Sequence, residues 1–375
     1  MAQQWFIGLM SGTSLDGIDG ALCRLDDNGQ WGGVHGHVHH DFDPALREAL
    51  FALQRSGPNE CHRAALAANA LALAYARVCQ ALCAEAGVSA NQVRAIGAHG
   101  QTIRHQPAPP GQPPGSGYTL QLNQPALLAE CTGIDVIADF RSRDVAAGGQ
   151  GAPLVPPFHQ ALFSNADEPR AVVNIGGISN LTVLDPERPL LGFDSGPGNA
   201  LLDHWCQRHT GHAYDDAGRW SASGQVQTAL LSTCLADPYF AAPPPKSTGR
   251  DLFNPEWLAA QLHGQAHLAP ADVQATLAEL TARCIADAVN QHAPASRRLL
   301  VCGGGALNDD LMTRLATLLP HCQVQSTTLH GLPPLQVEAA AFAWLAFMHV
   351  HRRPANAVSV TGAAGPRILG ACSPA

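Results

Sequence analysis

The chain has 375 residues, 46% of them hydrophobic and 14% charged, with a formal net charge of −8. That length suits two or three domains with real cores, and an acidic chain whose longest Lys/Arg run is two residues argues against nucleic acid and anionic membranes as partners. The single lysine, Lys246, leaves no Gly-Lys of a Walker loop and no strand lysine of a protein kinase.

MAQQWFIGLMSG lacks the basic start of a signal peptide. The longest apolar run, Ala339 to Phe347, falls short of the about 18 residues of a bilayer span and reads as a core helix. Eleven cysteines, odd in number and scattered, fit reduced thiols, so the expected location is the cytoplasm.

Trp5 to Met10 and Gly20 to Leu25 read as strands on either side of the polar, Gly-rich turn SGTSLDGID, and Val34 to His40 as a third strand. Ala64 to Ala86 is a helix by its three- and four-residue apolar spacing, stopped by Gly87. Val93 to Ala98 is a buried strand running into HGQTIRH, and the Pro-rich segment 106–117 a surface loop. Leu127 to Cys131 is helical and Asp135 to Asp139 a strand.

The second half repeats the layout: strand Ala171 to Ile175, the turn GGISN, strand Leu181 to Leu184. This predicts an internal duplication. Strand Leu190 to Asp194 follows, then SGPGN and a helix over Ala200 to Arg208 opened by Pro197. Ala271 to Val289 is a helix, Leu299 to Cys302 a strand, GGG a turn, Leu307 to Leu319 a helix and Val337 to Val350 the last long helix. Strands alternating with helices give an α/β protein.

Three loops carry the chemistry. Gly12 to Asp19 offers close-approaching backbone N–H groups, the hydroxyls of Thr13 and Ser14, and the carboxylates of Asp16 and Asp19. Such a loop nests phosphate, and a carboxylate beside it calls for Mg²⁺, held by Asp16 or Asp19 through water. The alternative is a plain hairpin turn. Gly176-Gly177-Ile178-Ser179-Asn180 repeats that logic in the second half. Gly303-Gly304-Gly305 with Asn308, a strand–glycine–helix element, suits a purine and its ribose, or is simply a tight turn. Asp194, at a strand end before a helix, is either a general base or that helix's N-cap.

Taken together, GLMSGTSLDGIDGAL, GAHGQTIRH, DFRSRDVAAGGQGAPLVP, VVNIGGISNLTVL, GFDSGPGNALLD, PPKSTGRDLFN and VCGGGALN resemble, in this order, the anhydro-N-acetylmuramic acid kinases. The resemblance implies an α/β, two-lobed actin-like (ribonuclease H-like) ATPase fold with a central ATP cleft. Residues 1–140 would form the N-terminal lobe and 141–336 the C-terminal lobe, with the C-terminal helix of 337–375 packing back on the first.

The implied reaction uses ATP and Mg²⁺ to phosphorylate O6 of 1,6-anhydro-N-acetylmuramic acid while water opens the anhydro bridge at C1. It serves cell-wall recycling and amino-sugar catabolism. By matching motif, Gly12, Thr13, Ser14, Leu15, Asp16, Gly17, Ile18 and Asp19 form the nucleotide loop. Gly176, Gly177, Ser179 and Asn180 form the second phosphate loop, and Gly303, Gly304, Gly305 and Asn308 hold adenosine. Asp194 matches the catalytic aspartate that activates water; His99, Gln101, Asp139, Arg141 and Glu338 line the sugar site. Ser195 stands where many relatives carry Thr and Val337 where many carry Lys, and the 106–117 loop is longer than usual.

Other features read as structural. His35, His37 and His39 share one strand face, and a zinc site there is the minor alternative to an exposed face. Cys79 and Cys83 read as small core residues, and the segment Lys246 to Arg250 has no assigned role. A homodimer is left open. The rival functions are an ordinary sugar-hydroxyl kinase, a nucleotide-switched actin-like binding protein and a retaining glycosidase; the last would leave three nucleotide loops idle.

Overall fold

The computed structural model describes residues 3–12, 15–109, 112–113, 115–249 and 251–375. Two proposed ATP contacts, Thr13 and Ser14, lie outside the described residues, as do Arg250 and three residues of the 106–117 loop. The strands in chain order are β1 (Gln3–Met10), β2 (Gly17–Asp26), β3 (Trp31–Asp41), β4 (Val93–Ala98), β5 (Gln101–Gln106), β6 (Tyr118–Leu122), β7 (Val136–Ala138), β8 (Arg170–Ile175), β9 (Ile178–Leu184), β10 (Leu191–Pro197), β11 (Arg298–Cys302), β12 (Gln323–Ser326) and β13 (Ala371–Ser373). The chain divides into two compact units, one of residues 1–158 with 336–375, the other of 159–335.

Both units carry the same sheet topology. In the first, β1, β2 and β3 form an antiparallel meander, and on the other side of β1 lie β4 and then β7, both parallel to it, with β13 on the outer edge. In the second, β8, β9 and β10 form the meander, and β11 and β12 continue in parallel beyond β8. This is the α/β, ribonuclease H-like arrangement of the actin-like ATPase fold, present twice. It places the two Gly-rich turns at equivalent points, the β1–β2 and β8–β9 hairpin connections.

The first sheet is covered on one side by the helix Glu60–Ala86, which sets Leu71, Tyr75, Val78 and Leu82 into the core and packs on β2 and β3. That helix is long and apolar enough to cross a membrane, but over half of its most apolar stretch is buried within the unit, as in a core helix. The helix Val337–Val350 packs on β1, β2 and β4. Gly8 and Gly97 explain how close it comes: a methyl group at either would collide with helix main chain, at Ala339 or Phe342. Glycine inside a strand marks such an approach.

Several sequence expectations change. Residues 141–158, assigned to the C-terminal lobe, belong to the first unit. The buried Asp144 ties them to the C-terminal segment through Thr361 and Asn356, a tertiary link that composition cannot reveal. Gln101–Gln106 and Tyr118–Leu122 pair as a hairpin around the Pro-rich loop. Pro197 ends β10, and the following helix starts at Asn199. The helix expected from Leu307 starts at Asp309, because Gly304–Leu307 forms a tight 3-10 turn and the Asn308 side chain caps the helix by accepting from Leu311 N–H.

Candidate functional site

In the first unit the candidate residues gather at the ends of β1, β4 and β7. The turn after β1 is anchored from below: Leu15 and Ile18 are core residues, so any ligand contact they make runs through backbone. Leu15 has a φ of +56°, a left-handed conformation that non-glycine residues adopt at a cost and that clusters at functional loops. Its N–H donates to Gly12 O at 3.2 Å, and Gln101 Nε2 donates to the same carbonyl at 3.1 Å. Gln101 is fully buried and thus braces the loop. Ser11 Oγ, 2.9 Å from Tyr75 Oη, donates to Gly100 O and fastens the other side. Sequence reasoning missed Tyr75; the signal was a phenol on the apolar face of an Ala-rich helix, where its hydroxyl needs a buried partner. Asp16 is exposed, with Oδ1 accepting from Gly17 N–H at 3.0 Å.

His99, Arg141, Asp139 and Glu338 frame the same end. His99 is buried, with Nδ1 facing Ser11 O at 3.3 Å and Nε2 accepting from Arg141 Nη2 at 2.9 Å. Burial, then the adjacent guanidinium, pushes its pKa down to about 3, so the ring is neutral and serves as an acceptor that aims Arg141. Arg141 Nη1 also donates to Gly151 O at 2.7 Å. Asp139 is exposed at a φ of +58°, with Oδ1 accepting from Ser142 N–H. Glu338 lies in the first turn of Val337–Val350, one turn before Phe342, whose ring packs on His99.

In the second unit the glycine elements interlock at the end of β8. Gly176 O accepts from Asn199 N–H (2.7 Å), and Gly177 O from Gly198 N–H (3.0 Å) and Ala200 N–H (3.1 Å). The hairpin carbonyls therefore satisfy the start of the helix Asn199–Thr210. Gly198 has to be glycine, since a Cβ would strike Gly176 O. Gly303, at φ +76°, lies against Asn174 and Ile175, while Gly304 is exposed as bare backbone. Ser179 and Asn308 are committed inside the protein: Ser179 Oγ pairs with Ser195 Oγ at 2.8 Å and with Gly196 O, and Asn308 caps its helix. Asn180 lies opposite Asp194 across the β9–β10 pair.

Asp194 is not a helix cap. The N-cap of the helix Asn199–Thr210 is Gly198, and Asp194 stands four residues earlier, inside β10. A bulge follows it: Asp194 pairs with Asn180 and Gly196 with Ser179, leaving Ser195 as the extra residue. Asp194 Oδ2 accepts from Thr248 N–H at 2.9 Å. Ser195, buried and bonded through its hydroxyl to Ser179, keeps the hydroxyl that threonine would supply there.

The histidine stripe on β3 lies against the acidic residues beside it. His39 Nδ1 lies 3.0 Å and His37 Nε2 3.3 Å from Asp19 Oδ1, and His39 Nε2 lies 3.3 Å from Asp41 Oδ1. His35 packs edge-on to Trp5. Among the described residues no group of three or more His, Cys, Asp or Glu is arranged to hold a metal ion. Burial lowers the His39 pKa, but the hydrogen bond and charge of Asp19, then Asp41 and Asp16, outweigh it and raise it overall. A raised folded-state pKa means that the pairing stabilises fully below the ordinary imidazole value of about 6.5 and fades as pH rises through the folded value. Thermal unfolding from pH 5.5 to 8.5 should therefore show wild type most ahead of His39→Gln at the acid end. An advantage that grows with pH would reject the pairing.

A family profile described as anhydro-N-acetylmuramic acid kinase matches residues 4–375. A curated protein of that name from Variovorax paradoxus is 59% identical over 100% of both chains. Another from Bordetella petrii is 60% identical over 99% of this chain and 96% of its own. Among solved structures, the activator of the 2-hydroxyisocaproyl-CoA dehydratase from Clostridium difficile with bound ADPNP is similar at 13% identity, TM-score 0.49, over 93% of this chain and 96% of that one. That likeness is too loose to carry an argument.

Proposed function

Because the chain belongs to the anhydro-N-acetylmuramic acid kinase family, we propose that it transfers the γ-phosphoryl group of ATP to O6 of 1,6-anhydro-N-acetylmuramic acid while water opens the anhydro ring. The product is N-acetylmuramic acid 6-phosphate, an intermediate of cell-wall recycling. Water bonds to C1 and loses one proton to Asp194; the C1–O6 bond breaks, O6 takes the phosphoryl group and ADP leaves. The observation that carries this reading is the place of Asp194. It is the last paired residue before the bulge at Ser195, a backbone N–H holds one oxygen, and the adjacent helix is capped by other groups. A carboxylate fixed in this way is organised as a base.

Arg141, aimed by the neutral His99, supplies a charged fork suited to a carboxylate-bearing amino sugar. Asp139 and Glu338 add acceptors for its hydroxyl and amide groups. In the first unit the backbone of Gly12 and Leu15 to Asp19 suits phosphate; in the second, that of Gly176, Gly177 and Gly303 to Gly305 suits phosphate and adenosine. Mg²⁺ fits this donor set: one exposed carboxylate, Asp16, is what an ion that keeps most of its water needs. When bound, the ion neutralises phosphate charge.

The test is a reaction in H₂¹⁸O with ATP and the anhydro sugar. The expected product carries one phosphate and one labelled oxygen at C1, with one ADP formed per ring opened. A phosphorylated product with its anhydro ring intact would make the protein an ordinary sugar-hydroxyl kinase. ATP turnover indifferent to sugar would favour a nucleotide-switched binding protein.

A further inference from the structure

β10 is the edge strand of the second unit's sheet, and an edge strand leaves backbone groups in need of partners. At Asp194 the partner is the segment that holds the chain's only lysine. Lys246 O accepts from Asp194 N–H at 3.2 Å, and two residues later Thr248 N–H donates to Asp194 Oδ2 at 2.9 Å. From the other direction Tyr239 Oη donates to Asp194 O at 2.7 Å. The peptide units on both sides of this one residue, and its carboxylate, are thus held by a stretch some fifty residues further along the chain.

That stretch is itself latched. Lys246 Nζ donates to Tyr239 O at 3.1 Å and Phe240 O at 3.3 Å, the closing carbonyls of the short helix Pro238–Ala241. The ammonium also lies 4.7 Å from the centre of the Tyr239 ring and 5.9 Å from that of Phe193. The helix is fixed at its other end by Asp237, which accepts from Tyr239 N–H and from Trp257 Nε1. The ring of Phe240 approaches Gly196 so closely that a side chain there would displace it. Burial, then the charge of Asp194, pushes the Tyr239 phenol well up, so it stays protonated as the donor to Asp194 O, while Lys246 Nζ is engaged by two carbonyl oxygens.

We propose that Lys246 and Tyr239 are positioning residues of the phosphotransfer reaction: the ammonium latches the 239–248 segment, which aims the Asp194 carboxylate. The inference rests on Asp194 being the base. Lys246 then acts through two carbonyl oxygens and a ring, without contact with nucleotide or sugar.

The experiment compares Lys246→Met, Tyr239→Phe and Asp194→Asn with wild type, measuring kcat, the KM for ATP and the pH dependence of kcat. Misplacing a reacting group by about 1 Å costs on the order of 10²-fold. Lys246→Met and Tyr239→Phe should each lower kcat by roughly 10- to 100-fold with the KM for ATP changed less than about two-fold. Loosening the Thr248 N–H bond removes a partner that favours the ionised carboxylate, so the acid limb of the kcat profile should move to higher pH. A merely structural lysine would lower the amount of folded enzyme and leave that limb in place. Wild-type kcat and acid limb in both variants, with Asp194→Asn inactive, would overturn the clamp while sparing the base. An active Asp194→Asn would overturn both. If Lys246→Met does not fold, Tyr239→Phe, which removes a single oxygen, decides alone.

Discussion

Asp194→Asn should lower kcat with the anhydro sugar by about 10²–10⁴-fold, the usual worth of a general base, while the KM for ATP stays near its wild-type value. Asparagine keeps the size and shape of the side chain, and its amide oxygen can still accept from Thr248 N–H. What it cannot do is take a proton from water. The loss therefore falls on an interaction needed in the transition state and not in the ground state, which reads as kcat rather than KM. Stability should barely change, because the neighbouring helix draws its first-turn partners from the Gly176 and Gly177 carbonyls and not from Asp194. Steady-state kinetics and thermal unfolding on the same preparation separate the two effects. Near-normal turnover would move the base elsewhere, with Glu338 next in line.

The structure shows why sequence pattern left the setting of this residue open between a strand end and a helix start. Asp194 before Ser-Gly-Pro-Gly-Asn looks like a helix start, since proline favours early helix positions. The bulge at Ser195 lets the strand run on to Pro197, and no local pattern announces a bulge whose extra residue bonds through its hydroxyl to Ser179 on the neighbouring strand. Val93–Ala98 and Val337–Val350 were legible because they are apolar almost without a break. Both are buried nearly throughout, as a buried strand and a core helix require. The hairpin QTIRHQ with YTLQL was not legible, since its exposed alternation is polar and the proline-rich stretch between hides the pairing. Of the candidate site, the glycine turns and carboxylates stand out by composition. Tyr75, Tyr239 and Thr248 hold those groups from far along the chain and carry no local signature.

Asp144 makes the same point about stability, and replacing it should have the largest effect on folding. Its side chain is fully buried and accepts three hydrogen bonds, from Gly151 N–H, Thr361 Oγ1 and Asn356 Nδ2, all at 2.8 Å. Two of these donors come from the C-terminal segment, which also receives Gln150 N–H at Thr361 O and gives Ala364 N–H to Ala147 O. Asp144→Ala deletes the common acceptor and leaves three donors, buried or partly buried, without it. A buried donor without a partner costs about 1–3 kcal/mol. Some relief by local rearrangement brings the total to about 3–5 kcal/mol, or a Tm lower by roughly 10 °C for a unit of this size. Thr361→Val is the control: it removes one donor, leaves the acceptor with two others, and should cost only about 1 kcal/mol. Equal losses in the two variants would mean that Asp144 is not the hub. The same substitution frees the loop whose Gly151 carbonyl holds Arg141 at 2.7 Å. The KM for the sugar should therefore rise in whatever enzyme folds, because the aim of that guanidinium depends on a carboxylate that never meets the ligand.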